Sequence, residues 1–159
     1  MAPTPSYTPP IATPYQLAER GARLGASLID ALIGAFASFA LVLPTIGFGR
    51  YLELAATSSF LVGLVGAVVG YVLFLAIHGK FLAESGQTIG KKVLGIRIAN
   101  LDGGKPEFGQ LAFRRYLYLL LPMIPFLGSL LVLIDVLTIF RESRRCLHDD
   151  FAGTVVVKA

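Results

Sequence analysis

Arg23 and Asp30 stand seven residues apart near the start of an apolar run that extends from residue 21 to 43. Seven residues are about two turns of an α-helix, so both side chains fall on one helix face. A charged side chain in hydrocarbon costs about 2.5–3.5 kcal/mol on insertion scales, so it persists only where it faces protein or water and has a partner. The pair therefore predicts a membrane protein with an inward-facing polar site.

The same helix face continues as a stripe of small and polar side chains, which lipid would penalise and which must therefore look inward. One interpretation is a helix-packing seam with an internal ion pair between Arg23 and Asp30. The other is that Asp30 is a protonatable or cation-coordinating carboxylate whose pKa is set by burial against the arginine's charge. The stripe, at spacings of three or four residues, comprises Arg23, Ser27, Asp30, Gly34 and Ser38.

Composition supports a membrane protein and argues against a nucleic-acid partner. Hydrophobic residues make up 55% of the 159-residue chain and charged residues 15%, against about 25% charged in an average soluble domain. The net charge of +4 comes from basic residues that flank apolar blocks and form no stripe interleaved with aromatics. We therefore expect the lipid bilayer, and no nucleic acid, as the partner.

Three apolar blocks follow a proline-rich beginning. Residues 1–18 hold five prolines and no charge, so we expect a disordered tail that is not a signal peptide. Residues 21–43 and 58–78 are each long enough, at about 20 residues, to cross a ~30 Å hydrocarbon layer as a helix. The third block, Tyr116 to Phe140, is interrupted near its middle by two prolines and a glycine. It either crosses once with a kink or turns back as a short helical hairpin.

The distribution of lysine and arginine favours the hairpin. If the third block turns back, 13 of the 14 basic residues fall on the cytoplasmic side and Arg50 alone lies outside, as the excess of positive charge on cytoplasmic loops requires. We predict the hairpin, with both termini cytoplasmic. Its arms are short for a full span, so they need snorkelling by Arg114 and Arg115, local thinning of the membrane, or a re-entrant fold packed on the other helices.

The loop between the second and third blocks, residues 84–115, carries a basic motif punctuated by glycines. GQTIGKK is not a phosphate-binding P-loop, because three residues and not four separate its glycines and no Ser or Thr follows its first lysine. Val93, Ile96 and Ile98 suit a segment at headgroup level, where the basic groups would meet anionic lipid. The candidate residues of this motif are Gly86, Thr88, Gly90, Lys91 and Gly95.

The C-terminal segment LHDDFAGTVVV joins a charged cluster to a short strand. One arrangement pairs Asp149 with Arg23 and ties this segment to the head of the first helix; the alternative is a solvated cytoplasmic cluster. The valines can pair with VLGIRIA into a small sheet. The predicted fold is thus an all-α membrane protein. It is a bundle of four helices, two full spans plus a C-terminal kinked helix or hairpin, with a short extended cytoplasmic segment.

The residue types give little support to an enzyme or a metal centre. Ser27 and Ser38 have no histidine at their membrane depth, and Cys146 beside His148 has no evident third partner. Two histidines and one cysteine are a poor supply of zinc ligands. We expect no catalytic residue, no metal and no cofactor.

Three ordered motifs resemble the RDD family of bacterial integral membrane proteins, which is named for one arginine and two aspartates. They are RLGASLID, GQTIGKKVLGIRI and LHDDFAGTVVV, and the resemblance covers residues 17–157. The family's arginine and first aspartate fall on Arg23 and Asp30. Its second aspartate falls on Asp149 or Asp135, of which we favour Asp149.

This resemblance implies a multi-pass protein of the bacterial cytoplasmic (inner) membrane, with a transmembrane domain over residues 19–157. It implies transport of unidentified ligands, with cation/proton antiport proposed for some members of the family. A chain this short has too few helices for alternating access between repeats, so transport requires a homo-oligomer or another membrane protein.

Two hypotheses follow from the resemblance. The first is an oligomeric transporter or cation/proton translocator that uses Asp30 and Asp135. The second is a non-transporting membrane scaffold or assembly partner in which Arg23, Asp30 and Asp149 are structural.

Overall fold

Helices dominate the chain, whose computed structural model describes residues 15–56, 59–124 and 127–159. Most of the predicted tail, residues 1–14, lies outside the described residues. The α-helices are α1 (Arg20–Ile46), α2 (Phe48–Ala56), α3 (Phe60–Ser85), α4 (Ile89–Val93), α5 (Leu127–Leu137) and α6 (Leu147–Ala152). The other elements are strands β1 (Ile96–Asn100) and β2 (Thr154–Lys158), a π-helix (Gln110–Arg115), a 3₁₀ helix (Leu117–Met123) and a 3₁₀ turn (Thr138–Phe140).

Helices α1 and α3 are, in the described part of the chain, the two that are long and apolar enough to cross a membrane. They contain 27 and 26 residues, which corresponds to about 40 Å each at 1.5 Å per residue. Large side chains on their outer faces are exposed, among them Phe36 at 79% and Leu61 at 66%. Apolar helices with such exposed faces need lipid or a protein partner around them. The two predicted spans are therefore present as helices of sufficient length.

The third apolar block turns back on itself. Its first arm, the 3₁₀ helix, packs against both α3 and α5. Tyr118 in that arm stacks on His148 at 4.5 Å between ring centroids, and Asp135 in α5 hydrogen-bonds the same histidine, so the two ends of the block lie together. The arms are about 14 Å and about 17 Å long, roughly half of a hydrocarbon layer. The two described arms form a short hairpin whose first arm packs on α3.

The predicted pairing of the valine run with VLGIRIA is confirmed as a two-stranded antiparallel sheet. Its register runs from Ile96 opposite Lys158 to Asn100 opposite Thr154. Leu17 bridges to Val157, and residues 16 and 18 also hydrogen-bond to the β2 backbone. The prediction of a disordered tail is therefore wrong for residues 16–18, because the free edge of β2 offers their backbone a hydrogen-bonding partner.

The most deeply buried apolar side chains collect around this sheet, at one end of α1 and α3, which we call the sheet end. Ile96 and Ile98 are 2% and 0% exposed, and they pack on Ala26 and Leu82 respectively. The antiparallel sheet turns Ile96 and Ile98 into the protein, so these two side chains do not face lipid headgroups, whereas Val93 is 66% exposed. Both ends of the described chain lie at the sheet end, which positions the polar side chains discussed next.

Candidate functional site

Asp149 is placed by the first turn of α6, where it closes a capping box. Its carboxylate accepts the backbone N–H of Cys146, the N-cap residue, at 2.9 Å. The side chain is 0% exposed and forms salt bridges with two guanidinium groups, those of Arg23 and Arg115. Burial alone would raise the pKa of the Asp149 carboxyl, but these two guanidinium groups outweigh it and hold the pKa well below its ordinary value. This carboxylate is therefore fully enclosed, and two guanidinium groups favour its ionised form.

Arg23 extends from the first turns of α1 to the C-terminal segment. Its Nη2 donates to Asp149 Oδ2 at 2.5 Å and to Cys146 Sγ at 3.4 Å, and its Nη1 donates to the carbonyl of Arg144. The predicted arrangement of Asp149 against Arg23 is confirmed, and the predicted ion pair between Arg23 and Asp30 is wrong. Side chains of a helix lean toward its N-terminus, so Arg23 reaches the sheet end while Asp30 lies about two turns deeper.

Arg115 completes a buried triad with Arg23 and Asp149, and sequence reasoning missed it. It lies at the end of the π-helix, is 1% exposed, and also donates to Thr154 Oγ1 at 2.5 Å. Basic residues next to an apolar block usually extend to headgroups, so nothing in the sequence distinguishes this arginine from exposed Arg114. The triad joins α1, the π-helix and α6 through one carboxylate.

Asp30 binds the start of α4 and not the arginine. Thr88, the N-cap residue of α4, donates its hydroxyl to Asp30 Oδ2 at 2.5 Å, and the Gly90 N–H donates to Oδ1 at 2.7 Å. A Cβ atom on Gly90 would lie 2.2 Å from the carbonyl oxygen of Ala26. Only glycine allows α4 to approach α1 closely enough for these two hydrogen bonds to form.

Two basic groups stand near Asp30 without closing on it. His78 accepts the Ile89 N–H on Nδ1 at 3.3 Å, and its Nε2 lies 3.9 Å from Asp30 Oδ1. Lys91 Nζ lies 3.9 Å from Oδ2, and the lysine side chain is 8% exposed. The Asp30 side chain is 12% exposed, in contrast to the enclosed Asp149. The carboxylate is thus held by two neutral donors, and Lys91 is its cationic neighbour at 3.9 Å.

The predicted loop motif divides into two sets by position. Thr88, Gly90 and Lys91 surround Asp30, as described above. Gly86 ends α3 in a left-handed conformation, and its carbonyl accepts the Ile98 N–H at 2.9 Å. Gly95 has a positive φ of 62° between α4 and β1. Gly86 and Gly95 therefore form the turns on either side of Thr88, Gly90 and Lys91, and these turns position the three residues beside Asp30.

Asp135, the alternative second aspartate, binds His148. Its carboxylate accepts the backbone N–H of His148 at 2.9 Å, and its Oδ2 lies 2.7 Å from the ring Nδ1. Burial lowers the pKa of His148 despite this hydrogen bond, which favours the neutral ring. The remaining ring nitrogen, Nε2, lies 3.7 Å from Asp149 Oδ1. The family arginine therefore contacts Asp149, while Asp135 belongs to a separate carboxylate–imidazole pair.

One cavity of about 510 Å³ connects these groups between α1, α3, the 3₁₀ helix and α5. All five residues of the predicted α1 stripe line it, so the stripe faces inward as expected. The pair of Asp135 and His148 lies on the same cavity as Asp30 and His78. Its titratable and cationic lining comprises Arg23, Asp30, Tyr71, His78, Lys91, Arg115, Tyr116, Tyr118, Asp135, Cys146 and His148.

Comparison with known proteins gives a family and little beyond it. The family model described as the RDD family matches residues 17–153, which is most of the chain. A protein from Haemophilus influenzae, described as an uncharacterized protein, is 33% identical over 111 residues, covering 69% of each chain. No solved structure matches the chain.

Proposed function

The chain belongs to the RDD family, and from that premise we propose that it is an oligomeric translocator that exchanges a proton for a monovalent cation at Asp30. The two long apolar helices and the family match indicate a membrane protein. The exchange activity, the oligomer and the absence of an enzymatic role are parts of the proposal.

The contrast between Asp149 and Asp30 is the observation that carries this proposal. Asp149 has two guanidinium partners and no exposed surface, so it has no route by which to exchange a proton or an ion. Asp30 has two neutral hydrogen-bond donors, borders the cavity, and has the Lys91 ammonium as a cationic neighbour at 3.9 Å. Carboxylates in membrane segments that face an interior cavity commonly mark ion or proton pathways. Of the three family residues, Asp30 is the one whose surroundings permit exchange.

A proton and a monovalent cation compete for the same carboxylate oxygens of Asp30, and this competition couples the release of one to the binding of the other. Protonated Asp30 releases its proton to water in the cavity, and the resulting carboxylate binds a cation; the reverse step releases the cation. Thr88 Oγ1 adds a hydroxyl oxygen next to the carboxylate. Lys91, buried beside both groups, supplies the positive charge when no cation is bound, and it must withdraw as a cation enters. His78 on the other oxygen can relay the proton.

The proposal includes a homo-oligomer or a membrane partner, because one chain has too few helices for alternating access. Two long helices and a short hairpin give no pair of repeats that could rock around a central site. The exposed apolar faces of α1 and α3 leave room for contacts with further copies as well as lipid.

We also propose the cytoplasmic membrane of a bacterium, with the sheet end and both termini in the cytoplasm. Supporting this orientation, the basic residues outside α2 collect at or near the sheet end, where anionic lipid headgroups would meet them.

The second candidate function is a membrane scaffold in which the same residues only hold the fold. The close contact of Gly90 with Ala26 favours it, because the two donors on Asp30 also dock α4 on α1. The two functions differ in whether Asp30 exchanges with water.

Proton flux in proteoliposomes separates the two functions. Purified protein should acidify or alkalinise the lumen when a gradient of sodium, potassium or lithium is imposed, and Asp30→Asn should abolish that flux while the oligomer stays intact. Asp150→Asn is the matched control, since Asp150 is exposed and pairs with Arg141 and Arg145. Assembled wild-type protein that moves none of these ions would argue against exchange at Asp30 and would support the scaffold function.

A further inference from the structure

We propose that Asp135, Cys146 and His148 bind a divalent transition-metal ion of the zinc class at the sheet end of the cavity. One ligand atom of each residue lies within 4.8 Å of the others. The site is separate from Asp30, and the proposal does not depend on cation exchange there.

The three side chains come from two rigid elements. Asp135 lies in the last turns of α5, Cys146 is the N-cap of α6, and His148 lies in the first turn of α6. A carboxylate, a thiolate and an imidazole are the three side-chain types that bind Zn²⁺, at about 2.0–2.3 Å. Bringing atoms within 4.8 Å of one another onto a common ion requires shifts of about 1 Å or less, which side-chain rotations supply.

The surroundings are suited to a bound ion in two respects. Burial raises the pKa of the Cys146 thiol to about 11, and Arg23, whose Nη2 donates to Cys146 Sγ at 3.4 Å, partly opposes that rise. When the ion takes His148 Nδ1, the ring proton moves to Nε2, which faces Asp149 Oδ1 at 3.7 Å. Histidines that bind metals usually donate their other N–H to a carboxylate in this way.

Proton balance follows from these contacts. With a neutral imidazole that changes tautomer and an ionised Asp135 carboxylate, the thiol of Cys146 supplies the one proton that is released per ion. Three protein ligands leave a fourth tetrahedral position, and all three residues line the cavity, so water fills that position. The bound ion would clamp α5 to α6 and close the sheet end of the cavity.

The test uses the full chain in detergent under reducing conditions, titrated with Co²⁺ alone and then with Zn²⁺ as competitor. We expect one Co²⁺ per chain, with a thiolate-to-cobalt absorption band that Zn²⁺ removes. Cys146→Ser should abolish the band, and Asp135→Asn and His148→Gln should each weaken binding at least about tenfold. The matched control is Asp150→Asn, which alters an exposed acid of α6 that pairs with Arg141 and Arg145 and should leave affinity unchanged.

Cys146→Ser changes one atom, so its elution volume and melting temperature can be compared directly with those of the wild type. Absence of Co²⁺ binding to folded wild-type protein would overturn the proposal. Equal affinity in wild type, Cys146→Ser and Asp135→Asn would also overturn it, because the ion would then bind elsewhere.

Discussion

Arg23 and Asp149 form a salt bridge of 2.5 Å between Nη2 and Oδ2 across 126 residues of sequence, and Arg115 binds the other oxygen of the same carboxylate. A single carboxylate therefore pairs with two buried guanidinium groups, which leaves the triad with a net charge of +1. Asp149→Asn should destabilise the protein by about 3–5 kcal/mol, since both arginines lose their charge partner. The loss should appear in denaturant unfolding in detergent. Asp150→Asn, on an exposed pair, should cost less than about 1 kcal/mol, and equal losses for the two variants would contradict the triad.

The two charged residues of α1 should respond differently to neutral substitution. Asp30→Asn keeps an oxygen that accepts from Thr88 or Gly90, so membrane yield and melting temperature should stay close to those of the wild type. Arg23→Leu leaves Asp149 with one partner fewer and frees the Arg144 carbonyl, so yield should fall sharply. A larger loss of yield and melting temperature in Asp30→Asn than in Arg23→Leu would show that Asp30 contributes more to stability than Arg23.

Gly90→Ala should separate α4 from α1. Its Cβ would overlap the Ala26 carbonyl oxygen at 2.2 Å, so α4 must shift and lengthen both hydrogen bonds to Asp30. We expect a loss of about 1–3 kcal/mol, the range for overpacking, together with faster proteolysis of the loop. Gly21→Ala is the control, because its Cβ would meet no atom within 4 Å. Similar behaviour of the two variants would argue against close packing at Gly90.

The topology predicts which positions share a side of the membrane. Single cysteines at Arg50, Gly104 and Ala159, in a Cys146→Ser background, can be labelled from each side of sealed vesicles. Positions 104 and 159 should label together from the cytoplasmic side, because the Ala159 N–H donates to Gly95 at the sheet end. Position 50 should label from the opposite side. Labelling of 104 and 159 from opposite faces would exclude the hairpin.

Sequence pattern was sufficient to predict the long helices, the hairpin and the strand pairing. Apolar length determines the spans, and the basic-residue count disfavours a single crossing of the third block. The pairing of β1 with β2 followed from two short extended runs. The helices and the two strands each follow from composition or periodicity within one segment, whereas the hairpin follows from the distribution of basic residues along the whole chain.

Partner choice was harder to predict because helical spacing specifies a face and not the neighbour on it. Arg23 and Asp30 share that face, yet Asp30 bonds to residues 58 and 60 positions away. Thr88 as an N-cap followed by Gly90 was the available signal, since a helix N-terminus attracts a carboxylate. The pairing of Asp135 with His148 depends on the hairpin packing against α6, which no periodicity encodes.

Proton release on cation binding is the measurement that decides whether Asp30 exchanges a proton for a monovalent cation. Sodium, potassium or lithium is added to weakly buffered, detergent-solubilised protein over a pH series, and the protons released are counted with a pH dye. If one pair of oxygens holds either a proton or a cation, wild-type protein should release up to one proton per chain, and cation affinity should fall as pH falls. Asp30→Asn should release none, while Asp150→Asn should behave as the wild type. Cation binding that releases no proton would show that protons and cations do not compete for one site. Proton release that persists in Asp30→Asn would show that the exchange does not take place at Asp30.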